Sequence, residues 1–165
     1  MNRPLSFEQA NTMEDRIAFL RDETGLPSAL ESDRREHPLE LVVPYVNPAV
    51  TTRALAAALK LADGCGAEVI LMAVHVLPYP APLESQEGIR RRLEAELAAV
   101  ARATPAALRV KLVFARDREG TYFALLRRRS LVVIGTKDRW WRTGEERLAR
   151  KLAAHGHSVA VIKVK

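Results

Sequence analysis

The stretch IGTKDRWWRTGEE, residues 134–146, holds the residue types best suited to bind a phosphate group. Gly135 follows a β-branched run and Gly144 precedes a helical pattern, so backbone amides near both glycines can approach an anion closely. Thr136 adds a hydroxyl donor. Three cations can also contact phosphate: Lys137, Arg139 and Arg142. The stretch has three interpretations: a phosphate-binding loop, an aromatic docking surface, or a site that has lost its chemistry.

Trp140 and Trp141 are adjacent in this stretch, and in an extended chain adjacent side chains point in opposite directions. At least one indole is therefore expected at the surface or under a partner. One interpretation is a lid packed over a vacant crevice, with the indole N–H groups bonded to loop carbonyls. The other is an aromatic anchor for a protein partner, or a platform that stacks on a base.

No other set of residues forms a recognisable reaction centre. His75 lies within an apolar strand pattern and is expected to pack there as a structural side chain. The remaining candidates lack a base, a triad or a third metal ligand: Cys65, Thr121, Ser130, His155 and His157. We therefore predict that the chain is not an enzyme, has no metal site and has no catalytic residues.

The elements that must position these residues alternate in type from residue 39 onward. Short β-branched runs predict five strands, at residues 39–46, 67–76, 109–116, 130–135 and 158–165. Several runs are almost continuously apolar, as in strands of a parallel sheet covered on both faces. Strand and helix in strict succession predict an α/β fold, a doubly wound open sheet with helices on both faces. Ligands in such folds bind beyond the carboxyl ends of the strands.

Four helical patterns fill the gaps between these strands. The first begins with Asn47 as N-cap and Pro48 in the first turn, and Gly64 is expected to close it. The second carries an apolar stripe that includes Ile89 and Leu93. A third is expected near residues 120–129, and a fourth over residues 144–154.

Residues 1–38 stand outside this alternation. Met13, Ile17 and Leu20 have helical spacing, and a polar, proline-containing stretch follows, which predicts one amphipathic helix and a linker. Residues 1–40 hold five arginines and nine acidic residues, a net of 5 − 9 = −4; with +6 for the whole chain, the other 125 residues carry +10. Most of these cations fall in helical patterns and are expected on solvated faces, so a nucleic-acid partner is not favoured. The acidic N-terminal arm is a candidate contact for a protein partner.

The body of the chain resembles the universal stress protein family over about residues 39–165, in the order of its elements and in three local features. These features are a first strand ending in VVP, a second closing in HV, and a Gly-Thr pair leaving the fourth strand. The resemblance implies a five-stranded sheet and a homodimer paired through Ser158 to Lys165. In one branch of the family it also implies an ATP site, with an acidic residue after the first strand and a glycine-rich loop after the fourth.

Only part of that ATP motif is present in this chain. Gly135 and Thr136 match it, and Gly144 is taken as the last glycine although it comes earlier than the family's spacing predicts. Val46 occupies the acidic position. Asp138 replaces the second glycine, and Glu145 stands where serine or threonine would follow the last one. A carboxylate repels phosphate and cannot donate a hydrogen bond, which costs about 1–3 kcal/mol at each position.

These replacements predict a universal-stress-protein-like binding or regulatory module that does not bind ATP and needs no cofactor. The alternative is an ATP-binding member, with Mg²⁺ and slow hydrolysis, in which Lys137, Arg139 and Arg142 supply the phosphate contacts. The single cysteine and the lack of a signal-peptide pattern predict a cytoplasmic protein without a membrane segment.

Overall fold

The computed structural model describes residues 39–82, 86–128, 130–137 and 143–165, together with the backbone of residues 17–21. Six strands lie in these ranges: β1 (Ile17–Arg21), β2 (Glu40–Pro44), β3 (Glu68–Val76), β4 (Leu108–Ala115), β5 (Leu131–Lys137) and β6 (Ser158–Val164). Four helices accompany them: α1 (Pro48–Cys65), α2 (Glu87–Arg102), α3 (Arg118–Leu125) and α4 (Gly144–Ala154). None of the helices in this part of the chain is long and apolar enough to cross a bilayer.

The strands form one parallel sheet in the order β1-β4-β3-β2-β5-β6. From β2 the chain adds β3 and β4 in one direction, and it then returns to the other side of β2 with β5 and β6. The predicted doubly wound α/β fold, with its alternation of strands and helices from residue 39 onward, is therefore confirmed. Because the winding reverses between β2 and β5, the carboxyl ends of these two strands border the crevice in which ligands of such sheets bind.

Two apolar layers cover the two faces of the sheet. Leu41 and Val43 of β2 point towards the face packed by α1 and α2, whereas Val42 points towards the face packed by α3 and α4. All three side chains are buried. This burial on both faces explains why the central strands have continuous apolar sequences.

The N-terminal segment departs from its predicted structure. Residues 17–21 form strand β1, which pairs in parallel with β4 from Ile17 opposite Leu108 to Arg21 opposite Leu112. The prediction of a helix through Ile17 and Leu20 is therefore wrong, and the sheet has six strands instead of five. A short apolar run is compatible with either structure, and here the open edge of β4 supplies backbone hydrogen-bond partners. Met13 lies outside the described residues.

The ends of α1 follow local chemistry. The Asn47 side chain accepts a hydrogen bond from the Val50 N–H, and Pro48 occupies the first turn, as predicted. The helix passes Gly64 and ends at Cys65, with Gly66 as its C-cap at φ 66°. The predicted end at Gly64 is therefore wrong by two residues. Gly66 is the glycine that adopts the left-handed backbone of the cap, which glycine does without strain.

Candidate functional site at the carboxyl ends of the strands

A pocket of about 260 Å³ opens at the carboxyl ends of β2 and β3. Its walls come from both sides of the sheet, since Leu93 belongs to α2 whereas Arg118 and Glu145 belong to α3 and α4. The lining residues are Tyr45, Val46, Ala73, Val74, His75, Leu93, Leu112, Arg118 and Glu145. The pocket therefore lies at the end of β2 on its β3 side, next to the crevice between β2 and β5, and its lining includes no residue of β5.

The segment that follows β2 presents no carboxylate to this pocket. Val46 lines it with an apolar side chain, and its backbone N–H donates to the Thr51 hydroxyl at 3.1 Å. Thr51 itself is fully buried in the first turns of α1. The turn from β2 into α1 is thus fixed by side-chain hydrogen bonds, and the position where the family resemblance implies an acidic residue is apolar.

An ion pair closes the opposite wall. The Arg118 guanidinium lies 3.4 Å from a Glu145 carboxylate oxygen, and these side chains are 29% and 20% exposed. The guanidinium also lies 5.9 Å from the ring centre of Tyr122. The Tyr122 hydroxyl donates to the Met72 carbonyl at 3.2 Å. Glu145 therefore places a carboxylate on the pocket wall, where its partner holds it.

The buried Tyr122 is a structural part of this wall. Burial raises the pKa of its phenol to about 12, although the nearby Arg118 charge acts in the opposite direction. The phenol therefore keeps its proton at neutral pH. It supports the guanidinium and offers no base for catalysis.

Two threonine hydroxyls meet beside the start of α4. The Oγ1 atoms of Thr136, at the end of β5, and Thr143, the N-cap of α4, are 2.8 Å apart. The Thr143 hydroxyl also accepts a hydrogen bond from the Glu146 N–H at 3.2 Å. Thr143 was not among the predicted site residues, although the sequence TGEE carries the signal of a helix start, a threonine followed three residues later by glutamate.

Gly135 of β5 is required by its packing against α1. A Cβ atom built at position 135 would lie 2.6 Å from Val50 Cγ1, 2.9 Å from the Val50 carbonyl oxygen and 3.2 Å from Ala54 Cβ. Helix α1 therefore approaches β5 so closely that only glycine fits. This close approach accounts for Gly135 without a bound phosphate.

The other predicted phosphate-binding residues divide into two groups. Lys137 is exposed at the last position of β5, and Gly144 is exposed at the first position of α4. The five residues between them lie outside the described residues: Asp138, Arg139, Trp140, Trp141 and Arg142. The structure thus gives the two ends of the loop, and the roles of both tryptophans stay predictions.

Two further polar side chains line the pocket without carrying a charge at neutral pH. The Tyr45 hydroxyl donates to Glu96 Oε2 at 3.2 Å; burial, aided by the Glu96 charge, raises the pKa of this tyrosine to about 12. The His75 ring packs edge-on to Phe114, with ring centres 5.6 Å apart. Burial, and to a smaller extent the charge of Arg92, lowers the pKa of His75 below its usual 6.5.

The remaining sequence candidates lie away from this pocket or are held by local contacts. Cys65 is exposed at the end of α1, and its thiol lies 3.2 Å from the Leu61 carbonyl. The His155 ring stacks on Phe123 at 4.2 Å. No cluster of three metal-ligating side chains occurs within the described ranges of the chain. The pocket therefore has a mixed lining, in which apolar side chains alternate with Tyr45, His75 and the ion pair of Arg118 and Glu145.

Comparisons with known proteins place this geometry in a fold family. No family model and no curated protein matches the chain. Among solved structures, a universal stress protein from Archaeoglobus fulgidus shares 15% sequence identity over 76% of this chain and 93% of its own, with a TM-score of 0.52. The chain has the universal stress protein fold.

Other structures with this fold give similar alignments. A universal stress protein family member from Burkholderia pseudomallei is 23% identical over 74% of this chain and 94% of its own, with a TM-score of 0.46. An Archaeoglobus fulgidus universal stress protein solved in complex with dAMP is 16% identical over 77% and 98%, with a TM-score of 0.47. Relative to the five-stranded sheet that the sequence resemblance implies, this universal-stress-protein-like chain has β1 as an additional strand.

Proposed function

We propose that the chain is a universal-stress-protein-like binding or regulatory module whose pocket does not accept ATP. The observation that carries the proposal is the Glu145 carboxylate, which Arg118 holds on the pocket wall beside the start of α4. A triphosphate at that helix start would lie against this carboxylate. The proposal includes the absence of catalysis and a cytoplasmic location.

Three changes act together against a triphosphate. Glu145 contributes charge repulsion, Val46 offers no hydrogen bond, and the Thr143 hydroxyl is already engaged with Thr136 and the Glu146 N–H. An unsatisfied or repelled oxygen costs about 1–3 kcal/mol, which is about tenfold to a hundredfold in affinity. Two such losses multiply to about a hundredfold to ten-thousandfold, so a micromolar nucleotide site would weaken to about 0.1–10 mM.

Titration calorimetry with ATP and Mg²⁺ tests this proposal. We expect no saturable heat at micromolar protein and nucleotide concentrations. Glu145→Gln removes the negative charge and should recover part of the affinity, whereas the matched change Glu146→Gln, in the same helical turn, should not. Stoichiometric micromolar binding of ATP by the unmodified protein would reject the proposal.

The alternative function is an ATP-binding universal stress protein with slow hydrolysis. It is favoured by the exposed Lys137 at the end of β5 and by the +10 net charge of residues 41–165, which attracts anions. In this alternative Lys137 acts with Arg139 and Arg142 on the phosphates. Protein that retains adenine nucleotide after purification from its expression host would favour it.

We also propose that the module forms a homodimer through β6, within Ser158 to Lys165. This strand lies at the edge of the sheet beside β5, and the Val161 side chain is 41% exposed. An apolar edge strand with free backbone groups is an aggregation liability unless another strand covers it. A second copy of β6 is the simplest cover.

A further inference from the structure

We infer that the pocket binds a small organic carboxylate with an apolar body, and that the carboxylate of this ligand replaces Glu145 on Arg118. The inference rests on the proposed function, in which the pocket is a binding site that excludes a triphosphate. It adds the chemical class of the ligand and the residue that recognises it.

The distribution of polarity in the pocket defines an amphiphilic ligand. Ala73, Leu93 and Leu112 supply apolar surface on the α2 side of the sheet, where Tyr45 and His75 add uncharged polar side chains. Arg118 and Glu145 form a charged end on the α3 and α4 side. A molecule that lies over the carboxyl end of β2, beside Ala73 and Val74 of β3, would contact both sides, which suits an apolar body with one charged group.

The volume of the pocket suits a small molecule. A dry cavity of about 150 Å³ holds a benzene ring, so a pocket of about 260 Å³ has room for one ring and a short chain. It lies just below the range of about 300–1,000 Å³ of pockets for drug-sized molecules. A phenylalkanoate combines one ring, a short chain and a carboxylate.

Arg118 has unused capacity to bind a carboxylate. Its contact with Glu145 is a single 3.4 Å pairing of Nη1 with Oε1, at the long end of the hydrogen-bond range. A guanidinium can instead donate two parallel hydrogen bonds to a carboxylate, at distances of about 2.7–2.9 Å. The Tyr122 ring beneath the guanidinium helps to keep it oriented towards the pocket.

Glu145 keeps part of its electrostatic stabilisation when a ligand displaces it from Arg118. It lies in the first turn of α4, where the helix dipole stabilises a negative side chain whether or not it is paired. The exchange replaces one carboxylate by another on the same guanidinium, and Glu145, whose side chain is already 20% exposed, then turns towards solvent. A ligand that is anchored by apolar contacts then gains from the better geometry.

Electrostatics favour a singly charged carboxylate over a cation or a dianionic phosphate. Arg118 and Glu145 are the charged groups among the lining residues at neutral pH, since the phenol of Tyr45 and the imidazole of His75 are neutral there. A cationic ligand would have to displace Arg118 from its place over Tyr122 and would be opposed by the basic body of the chain. A dianionic phosphate would bring two negative charges close to Glu145, whereas a carboxylate brings one.

The test compares three probes of one size by two-dimensional amide NMR and calorimetry: 3-phenylpropionate, 3-phenylpropanamide and phenethyl phosphate. We expect the propionate to bind about tenfold more tightly than the amide, as a charge-assisted contact predicts, and more tightly than the phosphate. Amide signals of α2, α3 and α4 should shift together. Equal affinity for propionate and amide, or tighter binding of the phosphate, would overturn the inference.

Variants identify the residues. Arg118→Gln should remove the preference for propionate over the amide probe, and Arg118→Lys should recover part of it. Glu145→Gln should increase propionate affinity several-fold because it removes the competing carboxylate. Arg90→Gln, at a cation that packs on Phe114 outside the pocket lining, is the matched control and should change neither value.

The outcomes separate this inference from the proposed function. If 3-phenylpropanamide shifts the same backbone signals, the pocket is a binding site even when 3-phenylpropionate binds no more tightly. If none of the probes binds at millimolar concentration, the carboxylate inference is rejected while the ATP titration still decides the proposed function. Thermal unfolding of each variant shows whether a lost response reflects loss of the fold.

Discussion

Gly135 and Val50 approach so closely that a methyl group at position 135 would lie 2.6 Å from Val50 Cγ1 and 2.9 Å from its carbonyl oxygen. Since the second atom belongs to the backbone of α1, rotation of the Val50 side chain cannot relieve the clash. We expect Gly135→Ala to lower the free energy of unfolding by about 1–3 kcal/mol, the usual cost of overpacking. Urea unfolding measures this loss.

Gly144 provides the control for that substitution. A Cβ at position 144 meets no atom within 4 Å, and the residue begins α4 with ordinary backbone angles. Gly144→Ala should therefore change the free energy of unfolding by less than about 0.5 kcal/mol. If the two alanine variants were equally stable, the packing explanation of Gly135 would be wrong.

The second prediction concerns the cap of α4. Thr143→Ala removes the hydroxyl that accepts from the Glu146 N–H and contacts Thr136. We expect a loss of about 1 kcal/mol in the free energy of unfolding, and Thr143→Ser, which keeps the hydroxyl, should retain most of the stability. Equal losses in both variants would assign the effect to the methyl group instead of the cap.

The third prediction is a pH dependence of stability. Burial is the main cause that lowers the pKa of His75 and of His157 below 6.5, and Nδ1 of His157 is buried with no hydrogen-bond partner among the described residues. Below about pH 6.5 the unfolded chain then binds more protons than the folded chain. The contribution of these neutral histidines to the free energy of unfolding should therefore be complete above this pH. It should decrease as the pH falls towards the pKa values of the two histidines in the folded chain.

Urea midpoints between about pH 7.5 and about pH 5.5 measure this dependence. The double variant His75→Gln/His157→Gln should lose part of the slope, and each single variant should lose a smaller part. An unchanged slope in the double variant would show that other groups control the acid response.

The fourth prediction tests the proposed dimer. Val161→Glu places a charge on the exposed edge of β6 and should weaken self-association by about tenfold or more, because like charges would meet across the paired edges. Light scattering coupled to size exclusion measures the change. Leu61→Glu, at a similarly exposed apolar residue of α1, is the control. A monomer at high concentration in the unmodified protein would contradict the pairing through β6.

The parts of the fold that depend on local pattern could be predicted from the sequence. The five strands from β2 to β6 and the cap at Asn47 follow from apolar runs and capping chemistry. Strand β1 could not be recognised, since the five residues from Ile17 to Arg21 become a strand through pairing with β4, which is distant in the chain.

The site was predictable to a smaller extent. The sequence located the strand ends and Glu145, but Arg118 comes from a helix 27 residues earlier, and no local motif links the two. Gly135 was predicted to approach a phosphate, whereas its packing against Val50 is a contact between elements that periodicity does not reveal. Thr143 could have been found from its capping pattern with Glu146.

Ala73 and Val74 are consecutive residues of β3 whose side chains belong to opposite apolar layers, and both border the pocket. A molecule lodged there would touch the two layers at once, so that opening of either layer would release it. Its binding energy would then oppose melting of the entire sheet. Occupancy would raise the melting temperature in a single cooperative step and leave neither half of the domain to unfold first.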